Sequence, residues 1–369
     1  MSPIQPSDVH AGAAEVSGVG PNPLIRARPR RQSILVPGPS VGLMGRVRWG
    51  LYDADTGILK RSSGLHRPDG GWYSNVILDV AMDAIGSDDI QSINNMAYSH
   101  MAVGSDSTSP AQSQTSLGNE VARTNTIHQE STGSGPNFDY WWRRVTWEFT
   151  KAEANATLAE LGAVDGSEAT FWMRQLFLDA QGNPTTISKQ NDEILRIQYE
   201  HRVYPDKTVK QKTLDLDIRG SLVSTTIDYQ PQRINEGRAW GEGAVDDGYL
   251  GTLGWWKPAH KIATWPDNTP PGDFQSRGPA DGSNSQTPSP QSGSLAAYGA
   301  GTFYRDWTLV VGPNDSNHTG GIGAMAVSPW STEFNGYRGF AAFFDPKIDK
   351  TASDELEMTF RASWNRVSV

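Results

Sequence analysis

Strict alternation of apolar and polar side chains constrains the fold of this chain more than any other feature of its sequence. Residues 194–203, 213–219 and 355–364 alternate throughout, and residues 145–149 give a shorter example. Alternation places successive side chains on opposite faces of a strand, so one face is buried and the other meets water or a partner. This arrangement is typical of antiparallel sheets. We therefore expect a mainly β protein.

The segment 194–203 shows the two faces most clearly. One face carries Leu195, Ile197, Tyr199 and Val203, and the other carries Arg196, Gln198, Glu200 and Arg202. The apolar set is expected to pack into the core. Turn-forming residues recur every 8–12 positions along much of the chain, which favours β-sandwich-like antiparallel domains with a few short helices.

Composition divides the chain into three parts. Residues 1–42 are rich in Pro, Gly, Ser and Ala with little periodicity, and are predicted to form an extended N-terminal arm. Residues 43–208 are predicted to form a β-sandwich-like domain with one short helix. Residues 209–369 are predicted to form a second β domain with a long irregular loop over 229–303, where regular patterning fades.

The predicted arm contains a basic cluster, formed by Arg26, Arg28, Arg30 and Arg31. One interpretation is a solvated, disordered leader. The other is an arm that crosses to a neighbouring subunit and pairs there as an added strand, with the arginines as partner contacts. The sequence leaves both interpretations open.

Three local patterns complete the reading of the first domain. Residues 47–61 predict a hairpin, because Asp and Gly residues at 53–57 separate two strand-like runs. Residues 75–85 predict a helix capped by Asn75 and ended by Gly86. Residues 117–123 predict a turn of helix or a tight bend.

Charge and composition exclude several classes of protein. The formal net charge is −9, so binding of nucleic acid by the whole chain is not expected. The chain has no Cys, which rules out disulfides and cysteine-ligated metals. No signal peptide is recognised at the start, and no run of eighteen apolar residues predicts a membrane span. We expect synthesis in a cytoplasm.

The sequence does not predict an enzyme. The seven His show no metal-ligand spacing, and nucleophile-elbow and phosphate-loop motifs are absent, so we expect no catalytic residues, no cofactor and no metal. Acidic pairs that could hydrolyse glycans exist, namely Asp215/Asp217, Asp246/Asp247 and Glu355/Glu357. Such pairs are common on the exposed faces of strands. A polysaccharide depolymerase is therefore the least favoured alternative.

An irregularly spaced aromatic group precedes the most polar part of the long loop. Its members are Trp240, Tyr249, Trp255, Trp256 and Trp265. These side chains could stack on host-surface glycan, pack on a partner subunit, or fill the core of the second domain. No helix or strand face accounts for all five.

A characteristic order of elements runs between 75 and 205, with a further stretch at the C-terminal end. It consists of the helix Asn75–Ile85, the strand Tyr98–Gly104, Asn119–Arg123, Ala159–Gly162, Phe171–Phe177, Leu195–Glu200, Phe344–Thr351 and Ser363–Arg366. In this order of elements the chain resembles a family of tailed-bacteriophage virion proteins associated with tails, collars and fibres. Long trimeric stalks, which typical fibres carry, are missing from this sequence.

The resemblance implies a non-enzymatic virion structural protein made in the host cytoplasm. Its partners would be other virion proteins and further copies of itself. Because stalk repeats are missing, a collar, adaptor or fibre-anchoring piece at the tail fits better than a whole fibre. Two alternatives stay open: an adhesin at the tail that binds host glycan through the aromatic group, and a capsid decoration protein.

Overall fold

The computed structural model describes residues 30–86, 97–136, 139–166, 170–218, 221–231, 261–266, 292–328 and 340–367. Over these residues the chain is mainly β with several antiparallel sheets, which confirms the predicted fold class. One helix, α1 (Asp79–Gly86), lies wholly within the described residues. No helix among them has the length and apolar character needed to cross a membrane.

The strands fall into three larger sheets and a short two-stranded one. Their bounds are β1 (Arg30–Asp53), β2 (Leu59–Ser62), β3 (Tyr73–Ser74), β4 (Val76–Ile77), β5 (His100–Gly104), β6 (Glu120–Thr124), β7 (Ile127–Ser134), β8 (Trp141–Phe149), β9 (Thr157–Leu158), β10 (Glu160–Val164), β11 (Met173–Leu176), β12 (Ile187–Ser188), β13 (Glu193–Pro205), β14 (Lys210–Ile218), β15 (Ser221–Pro231), β16 (Lys261–Trp265), β17 (Ser292–Leu295), β18 (Tyr304–Val311), β19 (Ile322–Ser328), β20 (Phe340–Ile348) and β21 (Asp354–Arg366).

The largest sheet has nine strands and is organised around β1. Its order is β17-β18-β21-β1-β13-β8-β7, and β2 and β3 also pair with β1. The first part of β1 runs parallel to β21, from Arg30 opposite Asp354 to Leu43 opposite Arg366. Its second part runs antiparallel to β13, from Val41 opposite Pro205 to Asp53 opposite Glu193. Strands from both halves of the sequence therefore share one sheet.

Two five-stranded sheets accompany the large one. The first, in the order β4-β11-β10-β5-β6, is built from the first half of the chain. The second, in the order β14-β15-β20-β19-β16, is built from the second half. One continuous cluster of buried apolar side chains takes residues from all three sheets and from α1.

Alternation places the core where the sequence predicts it. In β13, Leu195, Ile197 and Tyr199 are fully buried. In β21, buried and half-buried residues alternate from Asp354 to Trp364. Large aromatic side chains fill much of the core, and fully burying one contributes about 1.5–3 kcal/mol. The tryptophans with less than 2% exposure are Trp49, Trp141, Trp147, Trp172 and Trp364.

The predicted hairpin in the first domain is confirmed. β1 ends at Asp53, residues 54–56 turn, and β2 returns antiparallel from Leu59. The Asp53 carboxylate accepts hydrogen bonds from the Thr56 backbone N–H at 2.9 Å and the Thr56 hydroxyl at 2.7 Å. Gly57 has φ 70°, which a residue without Cβ adopts at little cost.

The predicted arm is replaced by a strand over the residues that the structure describes. Residues 30–42 form the first part of β1 and pair with this chain's own β21. The Pro and Gly residues that suggested an arm lie at a bulge, where the register shifts between Pro37 and Ser40. A proline is tolerated there because the ladder is already interrupted. Residues 1–29 lie outside the described residues.

Two predicted local elements also differ. The helix begins at Asp79 instead of Asn75, because residues 73–77 are drawn into sheet pairing and the Asn75 N–H donates to the Gly45 carbonyl. The segment 117–123 is predicted to form a turn of helix or a tight bend, but its residues 120–123 lie in strand β6, which pairs with β5. In both places tertiary pairing overrides the local propensity.

The structure also revises the predicted domain organisation. The large sheet contains strands from both sides of the predicted domain boundary at 208/209. Each half also contributes all the strands of one five-stranded sheet. The predicted irregular loop 229–303 contains β16, β17 and the end of β15, while residues 232–260 and 267–291 lie outside the described residues.

Candidate functional site

The outward side of the large sheet carries a dense group of arginines, which we call the arginine face. It consists of the outward side chains of β1, β8 and β13, namely Arg46, Arg48, Arg144, Arg196 and Arg202. Register brings them together, because Arg46 lies opposite Glu200, which lies opposite Arg144, and Arg48 lies opposite Gln198. In a chain of net charge −9, this local excess of positive charge is unusual.

Glu200 is the centre of the arginine face. Its side chain is fully buried and accepts hydrogen bonds from Nε of Arg46 at 2.7 Å and Nε of Arg202 at 2.7 Å. Nε of Arg144 donates at 3.0 Å. Burial raises the pKa of this carboxyl, but the three arginines outweigh burial and hold the pKa below its ordinary value. Glu200 therefore stays ionised.

Trp72 lies beside the same arginines. The guanidinium carbon of Arg46 is 4.3 Å from the ring centroid, that of Arg48 is 4.6 Å away, and that of Arg144 is 5.2 Å away. A cation over an aromatic face gains about 0.5–2 kcal/mol. Trp72 thus helps to hold three like charges close together.

Arg48 differs from its neighbours because no carboxylate among the described residues pairs with it. Its Nε donates to the Gln198 amide oxygen at 2.8 Å and its Nη1 donates to the Gly70 carbonyl at 3.1 Å. Burial lowers the pKa of Arg48, and the positive charges of Arg144 and Arg46 lower it further. Of the five arginines in the arginine face, Arg48 is therefore the one whose positive charge is least balanced by a carboxylate.

A cavity of about 160 Å³ lies next to Arg48. Its walls include Arg196, whose Nε donates to the Glu148 carboxylate at 2.8 Å, and His128, whose Nδ1 lies 3.5 Å from the same carboxylate. Gly50 leaves room in one wall, since a Cβ there would lie 2.8 Å from the Tyr52 ring. The arrangement can hold a small anion.

A second exposed feature is the pair of edge strands β6 and β7, which we call the β6–β7 flank. Among the described strands, β6 ends the first five-stranded sheet and β7 ends the large sheet. Two residues separate them in sequence. Both expose a large apolar side chain: Val121 is 41% exposed and Ile127 is 47% exposed.

A buried ion pair fixes the position of β6. Glu160 and Arg174 both have fully buried side chains, and Arg174 Nε lies 2.6 Å from a Glu160 oxygen. The same carboxylate accepts the backbone N–H of Gly118 at 3.1 Å and of Asn119 at 2.9 Å. Arg174 also donates to Asp106 at 3.0 Å. Side chains from β10 and β11 thus hold the loop 105–119 in place.

The predicted contact residues are only partly described. Arg26, Arg28, Trp240, Tyr249, Trp255 and Trp256 lie outside the described residues. The backbones of Arg30 and Arg31 lie in β1, opposite Asp354 and Glu355. The backbone of Trp265 ends β16, opposite Ala324. Their roles as partner or glycan contacts stay predictions.

The acidic pairs are placed as strand-face residues where the structure describes them. Asp215 accepts a hydrogen bond from the Ser224 hydroxyl at 2.7 Å, and Glu355 and Glu357 are half-buried on β21. Asp246 and Asp247 lie outside the described residues. Among the residues that are described, no group of three or more His, Asp or Glu could hold a metal ion.

The arginine face is the feature that sequence reasoning missed. Its signal was present, because Arg196 and Arg202 alternate with the apolar face of 194–203 and Arg46 and Arg48 do the same around Val47. Recognising a common face required knowing that β1, β13 and β8 are neighbours. That adjacency joins residues about 50 to 150 positions apart and leaves no local trace.

Comparison with protein-family models, curated proteins and solved structures gives no significant match for this chain. The fold and the site therefore define a class by architecture alone: a mainly β protein with a charged sheet face and an exposed flank of two edge strands.

Proposed function

We propose that this chain is a structural protein of a tailed-bacteriophage particle, associated with the tail as a collar, adaptor or fibre-anchoring component. It acts by protein–protein assembly, with other virion proteins and further copies of itself as partners. The observation that carries the assembly role is the β6–β7 flank. The resemblance between residues 75 and 205 supplies the kind of particle.

The β6–β7 flank has the properties of a strand-pairing surface. An edge strand offers backbone N–H and C=O groups to another chain, and proteins that avoid such pairing protect their edges with Lys, Pro or bulges. β7 spans eight residues without Lys or Pro. Its pairing with β8 has one register shift, between Ile127 and Gln129 at the start of the strand, and is regular from Gln129 to Ser134. The exposed side chains of Val121 and Ile127 would add apolar contacts to the backbone hydrogen bonds of a partner strand.

The Glu160–Arg174 pair supports this role by fixing the flank before a partner arrives. Its carboxylate holds the backbone of Gly118 and Asn119 directly before β6 begins at Glu120. A surface ordered in advance loses less conformational entropy on association. The flank is therefore suited to stable assembly.

Immunogold imaging of phage particles with serum against this chain tests the kind of particle and the location. Label at the neck, tail or tail tip agrees with the proposal. Label spread over the head would assign the chain to capsid decoration instead. An absence of label from intact, permeabilised and disrupted particles would refute a virion role.

Substitutions in the flank test the assembly surface. Ile127→Lys and Val121→Lys place a charge on each edge strand, and the double variant should reduce incorporation into particles at least tenfold in a complementation assay. Ile58→Lys is the matched control, because Ile58 is 65% exposed in the turn between β1 and β2. Equal incorporation of all variants would remove the flank as the assembly surface.

A further inference from the structure

The cavity beside Arg48 is lined by two guanidinium groups that have unused hydrogen-bond donors. Within the described residues, Nη2 of Arg48 and both Nη atoms of Arg196 make no hydrogen bond, while their Nε atoms are anchored to Gln198 and Glu148. Anchoring of Nε holds each guanidinium in place and leaves its outer N–H groups for a ligand. Two such groups can bind an oxyanion with two or more charge-assisted hydrogen bonds.

The charge around the cavity favours an anionic ligand. Arg196 lies 2.8 Å from the carboxylate of Glu148, and His128 lies 3.5 Å from the same carboxylate. Arg48 has no carboxylate partner in the part of the chain that the structure describes. A ligand carboxylate would complete the pairing of Arg48.

The remaining walls fit a sugar ring. Gln129 is exposed on β7, and the Thr146 hydroxyl accepts from the Gln198 amide at 2.6 Å, so neutral polar groups line the cavity beside the two guanidinium groups. Leu65 adds apolar surface to the lining, as does Tyr52, whose ring centroid lies 4.9 Å from the guanidinium carbon of Arg196. Neutral hydrogen-bonding groups together with an apolar wall suit hydroxyls and the C–H face of a pyranose.

An acidic peptide fits less well. The cavity lies over β1, β13 and β8, which are interior strands of the large sheet, and takes His128 and Gln129 from the edge strand β7. The backbone groups of the interior strands are engaged in the sheet ladders, so over most of the cavity a peptide main chain would find side chains alone to satisfy its own N–H and C=O groups. We propose that the cavity between Arg48 and Arg196 binds one acidic sugar residue, held through its carboxylate.

Isothermal titration calorimetry on the full-length protein tests this site with four probes. D-glucuronate should bind, and D-glucose and acetate should each bind at least tenfold more weakly, because one lacks the carboxylate and the other lacks the ring. Equal affinity for acetate and glucuronate would contradict the proposal that the ligand is a sugar. Tighter binding of a glutamate-containing peptide, the fourth probe, would contradict it as well. Undetectable binding of glucuronate would overturn the site.

Variants locate the ligand. Arg48→Gln should weaken glucuronate binding about tenfold or more. Gln129→Ala should weaken it about threefold and should not disturb the fold, because Gln129 is exposed. Arg361→Gln, on β21 of the same sheet, should leave affinity unchanged. If circular dichroism shows that Arg48→Gln does not fold, the affinities of Gly50→Ala and Gln129→Ala test the site instead. Both substitutions change the lining of the cavity without changing its charge. Unchanged affinity in the cavity variants would place the ligand elsewhere.

Discussion

His201 illustrates how a single polar residue is accommodated in an apolar core. Its side chain is 1% exposed, and its Nδ1 lies 3.0 Å from the Tyr98 hydroxyl. Its ring stacks with that of Tyr199 at 6.4 Å between centroids, and the Trp172 ring lies 5.2 Å away. Burial lowers the pKa of His201 from 6.5 to about 3. The imidazole is therefore neutral in the folded protein at neutral pH.

This neutral histidine makes stability depend on pH. Between about pH 6.5 and about pH 3 the unfolded chain binds a proton at His201 and the folded chain does not, so acid favours unfolding. The contribution is fully present above pH 6.5 and is lost by about 1.4 kcal/mol per pH unit as the pH falls. We predict that His201→Asn, which retains an acceptor for Tyr98, flattens the decline in unfolding free energy between pH 6 and roughly pH 4.

Urea unfolding of the two proteins across this pH range measures the difference in slope. His66→Asn is the control, because His66 is exposed in the loop after β2. Parallel declines for the native chain and for His201→Asn would show that His201 takes up its proton in the folded state as readily as in the unfolded chain.

At the scale of the element, the loop 105–119 has no helix or strand of its own and is positioned by hydrogen bonds to a buried ion pair. The Glu160 carboxylate accepts backbone N–H groups from Gly118 and Asn119, and Arg174 reaches the side chains of Asp106 and Gln114. The loop is thus held at both ends by two side chains from β10 and β11. Removing the Glu160 charge would leave the buried Arg174 guanidinium to pair with the partly exposed carboxylate of Asp106.

We predict that Glu160→Gln lowers the free energy of unfolding by about 3 kcal/mol, the lower end of the usual cost of breaking a buried ion pair from one side, because Arg174 keeps its pairing with Asp106. It should also increase protease cleavage within residues 105–119, because the loop loses a charged acceptor. Chemical unfolding and limited proteolysis followed by mass spectrometry measure the two effects.

Glu120→Gln is the matched control for this prediction. Glu120 pairs with Arg123 on the exposed strand β6, and such surface pairs contribute about 1 kcal/mol or less. Equal effects of the two substitutions would mean that the Glu160–Arg174 pair does not organise the loop.

The elements that sequence predicted well are those whose signal is local. Alternation in 194–203 and 355–364 reports burial of one face, so β13 and β21 follow from the sequence alone. The first part of β1 could not be found in this way. Its partner strand lies more than 300 residues away in sequence, and its Pro and Gly residues are typical of an irregular segment.

The candidate site shows the same limit. The alternating arginines predict an exposed face, but the cavity beside Arg48 depends on β1, β13, β8 and β7 lying side by side. Likewise, β6 and β7 follow each other in the chain but end two different sheets, and the sequence does not show that both are edge strands.

At the scale of the whole molecule, the pairing of β1 with β21 joins the two halves of the chain. The helix α1 is held by the same C-terminal strand, since Trp364 Nε1 donates to the Met82 carbonyl at 2.8 Å and Arg366 Nη2 lies 2.6 Å from Asp79. The large sheet and α1 therefore depend on residues from both halves, so we expect the two halves to unfold together.

Comparison of two deletions tests this coupling. Removing residues 1–39 eliminates the parallel ladder from Arg30 to Pro37, whereas removing residues 1–29 leaves it intact. We predict an unfolding free energy lower by roughly 3 kcal/mol or more in the longer deletion than in the shorter one, because several net-stabilising hydrogen bonds are lost. Equal thermal and urea unfolding of the two proteins would show that the parallel ladder contributes nothing.

The pairing of β1 with β21 also determines how late in synthesis the large sheet can be completed. β1 is the first described strand to be made and β21 the last, yet they are neighbours in the same sheet. At a synthesis rate of about 5–20 residues per second, the roughly 300 residues between them take on the order of 15–60 s. During that interval residues 30–43 have an open edge that other nascent chains can occupy. Faster translation or a chaperone that covers this edge should therefore raise the yield of correctly paired protein.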